Sequence, residues 1–343
     1  MSQETEAAQV FQQCKDILQN TKREISKRIV AQDAAIDGIL TSLIVGGHVL
    51  LEGVPGLAKT LMVKTFSDIT GLSFKRIQFT PDLLPADITG TMIYEQHKGT
   101  FSVRKGPVFA NMVLADEINR APAKVQSALL EAMAEGQVTI GEESYALPQP
   151  FFVLATQNPI EQEGTYNLPE AELDRFLMKI NLTYPTAMEE VSIVKGEGKQ
   201  SLIPVAQTLS EKTIMALRQY LEMVACDEKL VEYIVSIVAA TRPVQGTTTR
   251  GTAVRGFAAG AKNRDDIHKY IAFGASPRAG IALCRCAKAA ALCAGRSFVL
   301  PEDIKSMAPA VLRHRIVLSY EAAAEGVTAD DLIARILSLM PVP

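Results

Sequence analysis

The chain has 343 residues, 48% hydrophobic and 21% charged, with a formal net charge of −3. Such proportions exclude a disordered or low-complexity chain and leave room for two globular domains. The pI near 5.9 gives no general attraction for nucleic acid. The N-terminal MSQETEAAQVFQQ lacks the basic-then-apolar order of an export signal, and no apolar run is long enough to span a membrane. We therefore expect a cytoplasmic protein. Cys14, Cys226, Cys284, Cys286 and Cys293 form an odd set without disulfide spacing, and we read them as small buried thiols rather than a metal site.

In chain order, the first strong signal is HVLLEGVPGLAKTL, an apolar strand that breaks into glycine and proline and restarts as a helix. It is close to the phosphate-binding pattern G-x-x-x-x-G-K-[ST], with Ala58 where that pattern has its second glycine. Gly53 closes the strand, Pro55 restricts one φ, and Gly56 is free to take the positive φ of an anion-cradling turn. Ala58 is expected to be helical, with negative φ, as the first residue of the following helix. Lys59 then stands at a helix N-terminus, where free N–H groups favour phosphate, and Thr60 offers a hydroxyl to Mg²⁺. The bland alternative is a Gly-Pro turn followed by an incidental Lys-Thr.

Five apolar segments, HVLLE, FKRIQF, MVLADE, FFVLATQ and FLMKINL, read as continuous strands of a buried parallel sheet. Helices TLMVKTFSDITG and KVQSALLEAMAEG, the latter stopping at Gly136, are expected to cover it, which makes the class α/β. TGTMIYEQHKGTFSVRKG and QVTIGEESYALP interrupt this rhythm and read as inserted hairpins. Their function is open between packing or edge protection and contact with a partner. From about residue 186 only helical periodicity remains, with Asp227, Pro301 and Thr328 at helix starts. The division expected is thus a core over 1–185 and an all-helical lid over 186–343. Arg242 to Arg264 carries several basic residues and no acid, and reads as a solvated loop, with contact to an anionic ligand or partner as the alternative.

VLADEIN ends an apolar strand in Asp116 and Glu117. Hydrolysis of a phosphoanhydride needs an anchored Mg²⁺ and a base that orients water, so Asp116 is assigned to the metal shell, through water, and Glu117 to the attacking water. ATQNP ends the next strand and brings Asn158 to the same edge, where ligands of open parallel sheets bind. Arg175, before the fifth strand, and Arg278, at the start of a later helix, are each either a surface ion-pair partner or a source of positive charge for a transition state.

GVPGLAKT, VLADEINR, ATQNPIEQEGTYNLPEAELDRF, GASPRA and the late PEDI with VLRHRI together resemble the MoxR family of AAA+ ATPases, from about Val30 to the C-terminus. In that family alanine is the usual residue at the position of Ala58. The resemblance implies a P-loop αβα core with strand order 5-1-4-3-2, a smaller helical lid, and a ring, usually a hexamer, with ATP between neighbours. It implies that Gly53, Val54, Pro55, Gly56, Leu57, Ala58, Lys59, Thr60 and Leu61 form the Walker A loop. Ile29, Val30 and Gln32 would then lie near the adenine, and Asp116 and Glu117 would be the Walker B pair. Asn158 would be sensor 1, Arg175 the finger presented to the adjacent subunit, and Arg278 the lid arginine called sensor 2. Ala31 departs from the glycine that relatives commonly show there, and the Arg242 to Arg264 stretch is longer than the family pattern.

The hairpins would be the helix-2 and pre-sensor-1 inserts of the clade that includes magnesium chelatase and the MCM helicases. Family membership further implies a chaperone-like motor acting on a protein client, often one with a von Willebrand factor A domain. A nucleic-acid motor of the same fold is the alternative; the acidic pI and the lack of an appended DNA-binding motif argue against it. A small GTPase or P-loop kinase fits less well, since no Asn-Lys-x-Asp signature is present and the lid would be unexplained.

Overall fold

The computed structural model describes residues 3–54, 56–159, 165–166, 168–196, 199–243 and 267–343. They divide into two compact units, one made of residues 16–219 and the other of 1–15 with 220–343. Helix α1 (Gln3–Ser26) opens the chain.

In the first unit, β1 (Val49–Glu52), β2 (Phe74–Gln78), β5 (Met112–Asp116), β8 (Phe152–Gln157) and β9 (Met178–Asn181) form one sheet in the order β2-β5-β8-β1-β9. All four pairings are parallel. Counting only these five strands, the order is 5-1-4-3-2 read from the β9 edge. Parallel neighbours need crossovers, and α2 (Asp33–Val45), α3 (Lys59–Thr70) and α5 (Ala123–Glu135) are among the helices of this unit. The central strands β5 and β8 are buried nearly end to end, which is why they read as unbroken apolar runs. Strand β2 departs from that expectation. At the sheet edge it buries Ile77 and exposes Lys75, Arg76 and Gln78, so it is not the continuous buried strand its apolar ends suggested.

Packing is close where α2 meets β9: a Cβ added to Gly38 would lie 2.5 Å from Ile180 Cδ1. Phe66 on α3 and Phe152 on β8 are both fully buried, each contributing roughly 1.5–3 kcal/mol by removal from water. Helices α3 and α5 end on left-handed glycines, Gly71 and Gly136, whose N–H groups close on Ser67 and Ala132 carbonyls.

Both inserts are hairpins, and the short α4 (Pro85–Thr89) precedes the first. Strand β3 (Gly90–Glu95) pairs with β4 (Thr100–Lys105), and β6 (Gln137–Ile140) with β7 (Glu143–Ala146). The second turns through Gly141-Glu142 with Gly141 at φ 67°. The first exposes Met92, Ile93, Tyr94 and Phe101, with the Tyr94 and Phe101 rings 5.2 Å apart. Downstream come α6 (Glu170–Leu173), α7 (Ala187–Lys195) and α8 (Glu211–Glu222).

The second unit is built on α9 (Glu228–Ala240), α10 (Pro277–Cys293), α11 (Pro301–Leu312), α12 (Tyr320–Glu325) and α13 (Ala329–Leu339). Asp227 and Thr328 cap α9 and α13 by accepting the Lys229 and Asp331 N–H groups, and Pro301 occupies the first turn of α11, where its missing N–H costs nothing. Ala279, Ala282, Ala287, Ala289, Ala291 and Cys286 of α10 are buried, and burial pushes the Cys286 thiol up to about 12, an inert packing group. To the helices the fold adds a short antiparallel pair, β10 (Ile271–Phe273) with β11 (Val317–Leu318), which periodicity had not suggested. Arg242 is described, its Nε donating to the Ala275 carbonyl at 3.0 Å. The rest of the basic stretch, 244–264, lies outside the described residues. Among the described residues no helix is long and apolar enough to cross a membrane.

Candidate active site

Neighbouring strands of the first unit's sheet end close to level with one another. Glu52 of β1 faces Gln157 of β8, Ala115 of β5 faces Ala155 of β8, and Gln78 of β2 faces Asp116. Gly53, Glu117 and Asn158 therefore follow neighbouring strand ends at the carboxyl edge of the sheet, where open parallel sheets bind ligands.

The loop after β1 leads directly into α3. Gly56 takes φ +88°, as its role in a tight turn requires, while Pro55 lies outside the described residues. Ala58 corrects the sequence expectation: it is left-handed, φ 54° and ψ 23°, and serves as the N-cap of a helix that starts at Lys59. A glycine in the general phosphate-loop pattern suits such a φ, and alanine adopts it at a cost of roughly 1–2 kcal/mol. Ala31 is likewise left-handed at φ 65°, a conformation in which glycine would carry no Cβ penalty. The Lys59 ammonium donates to the carbonyls of Gly53 and Gln157, across the ends of β1 and β8. Thr60 is exposed on the first turn of α3.

Asp116 is nearly buried and both its oxygens are engaged. Thr156 Oγ1 donates to Oδ1 at 2.7 Å, and Arg76 donates to Oδ2 from Nη2 at 2.6 Å and Nε at 3.1 Å. Glu117 is left-handed at φ 58°, with its N–H held by Thr156 Oγ1 at 2.8 Å. Its carboxylate accepts from Gln78 Nε2 at 2.8 Å and pairs with Arg120 at 3.1 Å. Asn158 is buried just beyond β8. Arg175 is exposed, and its Nη1 donates to the Leu130 carbonyl of α5 at 2.7 Å. Arg278 is exposed in the first turn of α10, in the other unit.

Beside the loop lies a cavity of about 350 Å³ lined by Val30, Gln32, Gly56, Leu57, Ala58 and Leu61, together with Arg28, Tyr184, Pro185 and residues of α7 such as Ile193 and Val194. Gln32 anchors its wall by donating to the Thr183 carbonyl at 3.0 Å. Ile29, expected to line this space, is buried and is not part of the lining. Among the described residues no cluster of three or more His, Cys, Asp or Glu side chains forms a metal cage. A site of one hydroxyl and one carboxylate is nonetheless a suitable donor set for magnesium, which keeps waters and takes phosphate oxygens as further ligands.

Sequence reasoning passed over several of these groups. Thr156 was a polar residue in an apolar strand, a signal that was available. Gln126 interrupts the apolar stripe of α5; it is fully buried and donates to the carbonyls of Ile118, Ala121 and Tyr166, tying the turn after Glu117 to the segment after β8. Arg76 and Gln78 had no such signal, because nothing local says which strand β2 pairs with.

A five-stranded parallel sheet in this order, with a phosphate-type loop after its first strand and paired carboxylates after its third, defines an AAA+ ATPase core. The family profile "ATPase family associated with various cellular activities (AAA)" matches residues 48–178, and that of the AAA lid domain residues 263–336. The chain is 46% identical over 321 residues to the chaperone MoxR1 of Mycobacterium tuberculosis, covering 93% of this chain and 81% of that protein. It is 44% identical over 305 residues to the uncharacterised YeaC of Bacillus subtilis, covering 89% and 88%. A crystal structure from Cytophaga hutchinsonii of a protein assigned as an ATPase superposes with a TM-score of 0.86 at 47% identity, covering 99% of this chain and 98% of that one. The chain belongs to the MoxR family of AAA+ ATPases.

Proposed function

We propose that the protein hydrolyses ATP to ADP and phosphate in a magnesium-dependent reaction, as a hexameric ring, and uses the cycle to remodel a protein client. The observation that carries the reading is the nearly level ending of β1, β5 and β8, which gathers Lys59, Asp116, Glu117 and Asn158 at one edge beside an apolar cavity. In this reading the cavity takes the purine, flanked by Val30, Gln32 and α7, and the loop from Gly53 to Leu61 wraps the phosphates. Lys59 exchanges its two carbonyl acceptors for phosphate oxygens. Thr60 and Asp116 would hold the magnesium ion, Asp116 through water, and the ion when bound neutralises charge on the phosphates. Glu117 orients and deprotonates the attacking water, and Asn158 positions that water or senses the γ-phosphate. Arg175, exposed beside α5, reaches the nucleotide of a neighbouring copy. Arg278 answers the γ-phosphate from the helical lid, so that hydrolysis moves the lid.

The exposed Tyr94–Phe101 pair on the first hairpin supports contact with a client, since unpartnered aromatic surface of this kind is costly unless it binds something. A client with a von Willebrand factor A domain and a cytoplasmic location fit the same reading. Steady-state phosphate release by Glu117→Gln tests it. Turnover should fall by about 100-fold or more while nucleotide is retained; unchanged turnover removes Glu117 from the mechanism. The same variant, loaded with ATP, is the bait for isolating the client.

A further inference from the structure

We propose that Arg76 is a positioning residue that competes with magnesium for Asp116 and so sets the metal dependence of nucleotide binding. The inference rests on the reading above that Asp116 belongs to the magnesium shell.

The two oxygens of Asp116 are not equivalent. Oδ1 accepts from Thr156, which is fully buried in β8 and also holds the Glu117 N–H, so this contact is part of the sheet. Oδ2 accepts, among the described residues, charge-assisted hydrogen bonds from Arg76, through Nη2 at 2.6 Å and Nε at 3.1 Å. The Arg76 side chain is 47% exposed on an edge strand, whereas that of Asp116 is 12% exposed. The contact free to exchange is therefore the one on Oδ2, and the partner free to leave is Arg76. A hydrated magnesium ion needs a carboxylate oxygen to accept from its bound water. A guanidinium with two N–H groups on that oxygen carries the same sign of charge and fills the same acceptor directions, so the two cations exclude one another.

The arrangement follows from strand register. Gln78 faces Asp116 and Arg76 faces Leu114, so Arg76 stands two residues back on the same side of β2 and reaches forward to the carboxylate. Its Nη2 also donates to Gln78 Oε1 at 2.8 Å, which orients the Gln78 amide. Displacing Arg76 thus costs a shared, half-exposed ion pair, an amount large enough to shift a binding curve and small enough for magnesium to overcome.

The test uses the full chain and a fluorescent ADP analogue, titrated with magnesium and, separately, in the presence of a chelator. In Arg76→Gln the magnesium concentration for half-maximal binding should fall about threefold to tenfold, as expected for losing a charge-assisted pair at a partly exposed site. Its affinity without metal should stay within about twofold of the parent, because the phosphate loop is untouched. Arg76→Lys, which keeps the charge but not the planar fork, should lie between the two. Circular dichroism confirms that both variants fold. An unchanged magnesium requirement in Arg76→Gln overturns the competition. An equal loss of binding with and without metal also overturns it, and makes Arg76 a support for the sheet edge. Nucleotide binding by the parent protein that ignores magnesium overturns the assignment of Asp116 itself; in that case the parent curve, not the variant, fails.

Discussion

Thr156 holds Asp116 in place: its Oγ1 donates to Asp116 Oδ1 at 2.7 Å while accepting the Glu117 N–H at 2.8 Å. One hydroxyl on β8 thereby sets the carboxylate of one residue and the backbone of the next, which is left-handed at φ 58°. Thr156→Val keeps the shape and removes both bonds, leaving a buried N–H and a carboxylate oxygen without partners. We expect a stability loss of about 1–3 kcal/mol in urea unfolding, and a larger fall in ATP turnover than in nucleotide affinity. Thr156→Ser should retain most of both.

Ala58 offers a test of backbone strain. At φ 54° it occupies the left-handed region that disfavours a Cβ. Ala58→Gly should relieve roughly 1–2 kcal/mol of that cost, less about 0.5–1 kcal/mol for the freer unfolded chain, giving a small net gain. Ala58→Val, whose branched side chain fits this φ poorly, should lose stability and weaken phosphate binding. Denaturant midpoints of the two variants without nucleotide decide the sign.

His48 makes stability depend on pH. It is buried, its Nδ1 accepts the Val153 N–H at 3.0 Å, and Nε2 lies 3.2 Å from the Met133 carbonyl, an arrangement that requires the neutral ring with its proton on Nε2. Burial, opposed by the Met133 carbonyl and aided by nearby Arg218, lowers its pKa from 6.5 to about 4. The unfolded chain thus binds the proton first as pH falls. The contribution is complete above about pH 6.5 and is lost as pH drops toward about 4, in total about 3 kcal/mol. Unfolding free energy measured at pH 7 and pH 4.5 should fall more for the parent than for His48→Gln, and equal slopes would contradict the assignment.

Arg175 tests the proposed ring. Arg175→Ala should abolish ATP hydrolysis, and so should Lys59→Ala, which removes the ammonium at the phosphate loop. If Arg175 acts on a neighbour's nucleotide, mixing the two inactive proteins creates interfaces with an intact loop on one side and an intact arginine on the other. Phosphate release should then return to a fraction of the parent rate. Additive inactivity in the mixture places Arg175 within its own subunit, where its bond to the Leu130 carbonyl would be its whole role.

Much of the fold was legible because its signals are local. Continuous apolar runs marked β1, β5, β8 and β9, and Gly136, Asp227 and Thr328 marked helix ends, since each acts through hydrogen bonds within a few residues. The positions of Asp116, Glu117 and Asn158 at strand ends, and of Lys59 at the start of α3, were legible for the same reason. The edge character of β2 was not, because it depends on what lies on either side of the strand in space. Nor was the pairing of β10 with β11, whose partners are distant in the chain.

By itself the sequence determined the parallel-sheet core, the phosphate-type loop and the two carboxylates that follow a buried strand, since apolar periodicity and turn chemistry act along the chain. Only the tertiary structure decided that Ala58 is left-handed, that Thr156 binds Asp116 and Glu117 together, and that Arg76 takes the remaining Asp116 oxygen. The last two depend on the register between β2, β5 and β8, which is set by packing among residues far apart in sequence.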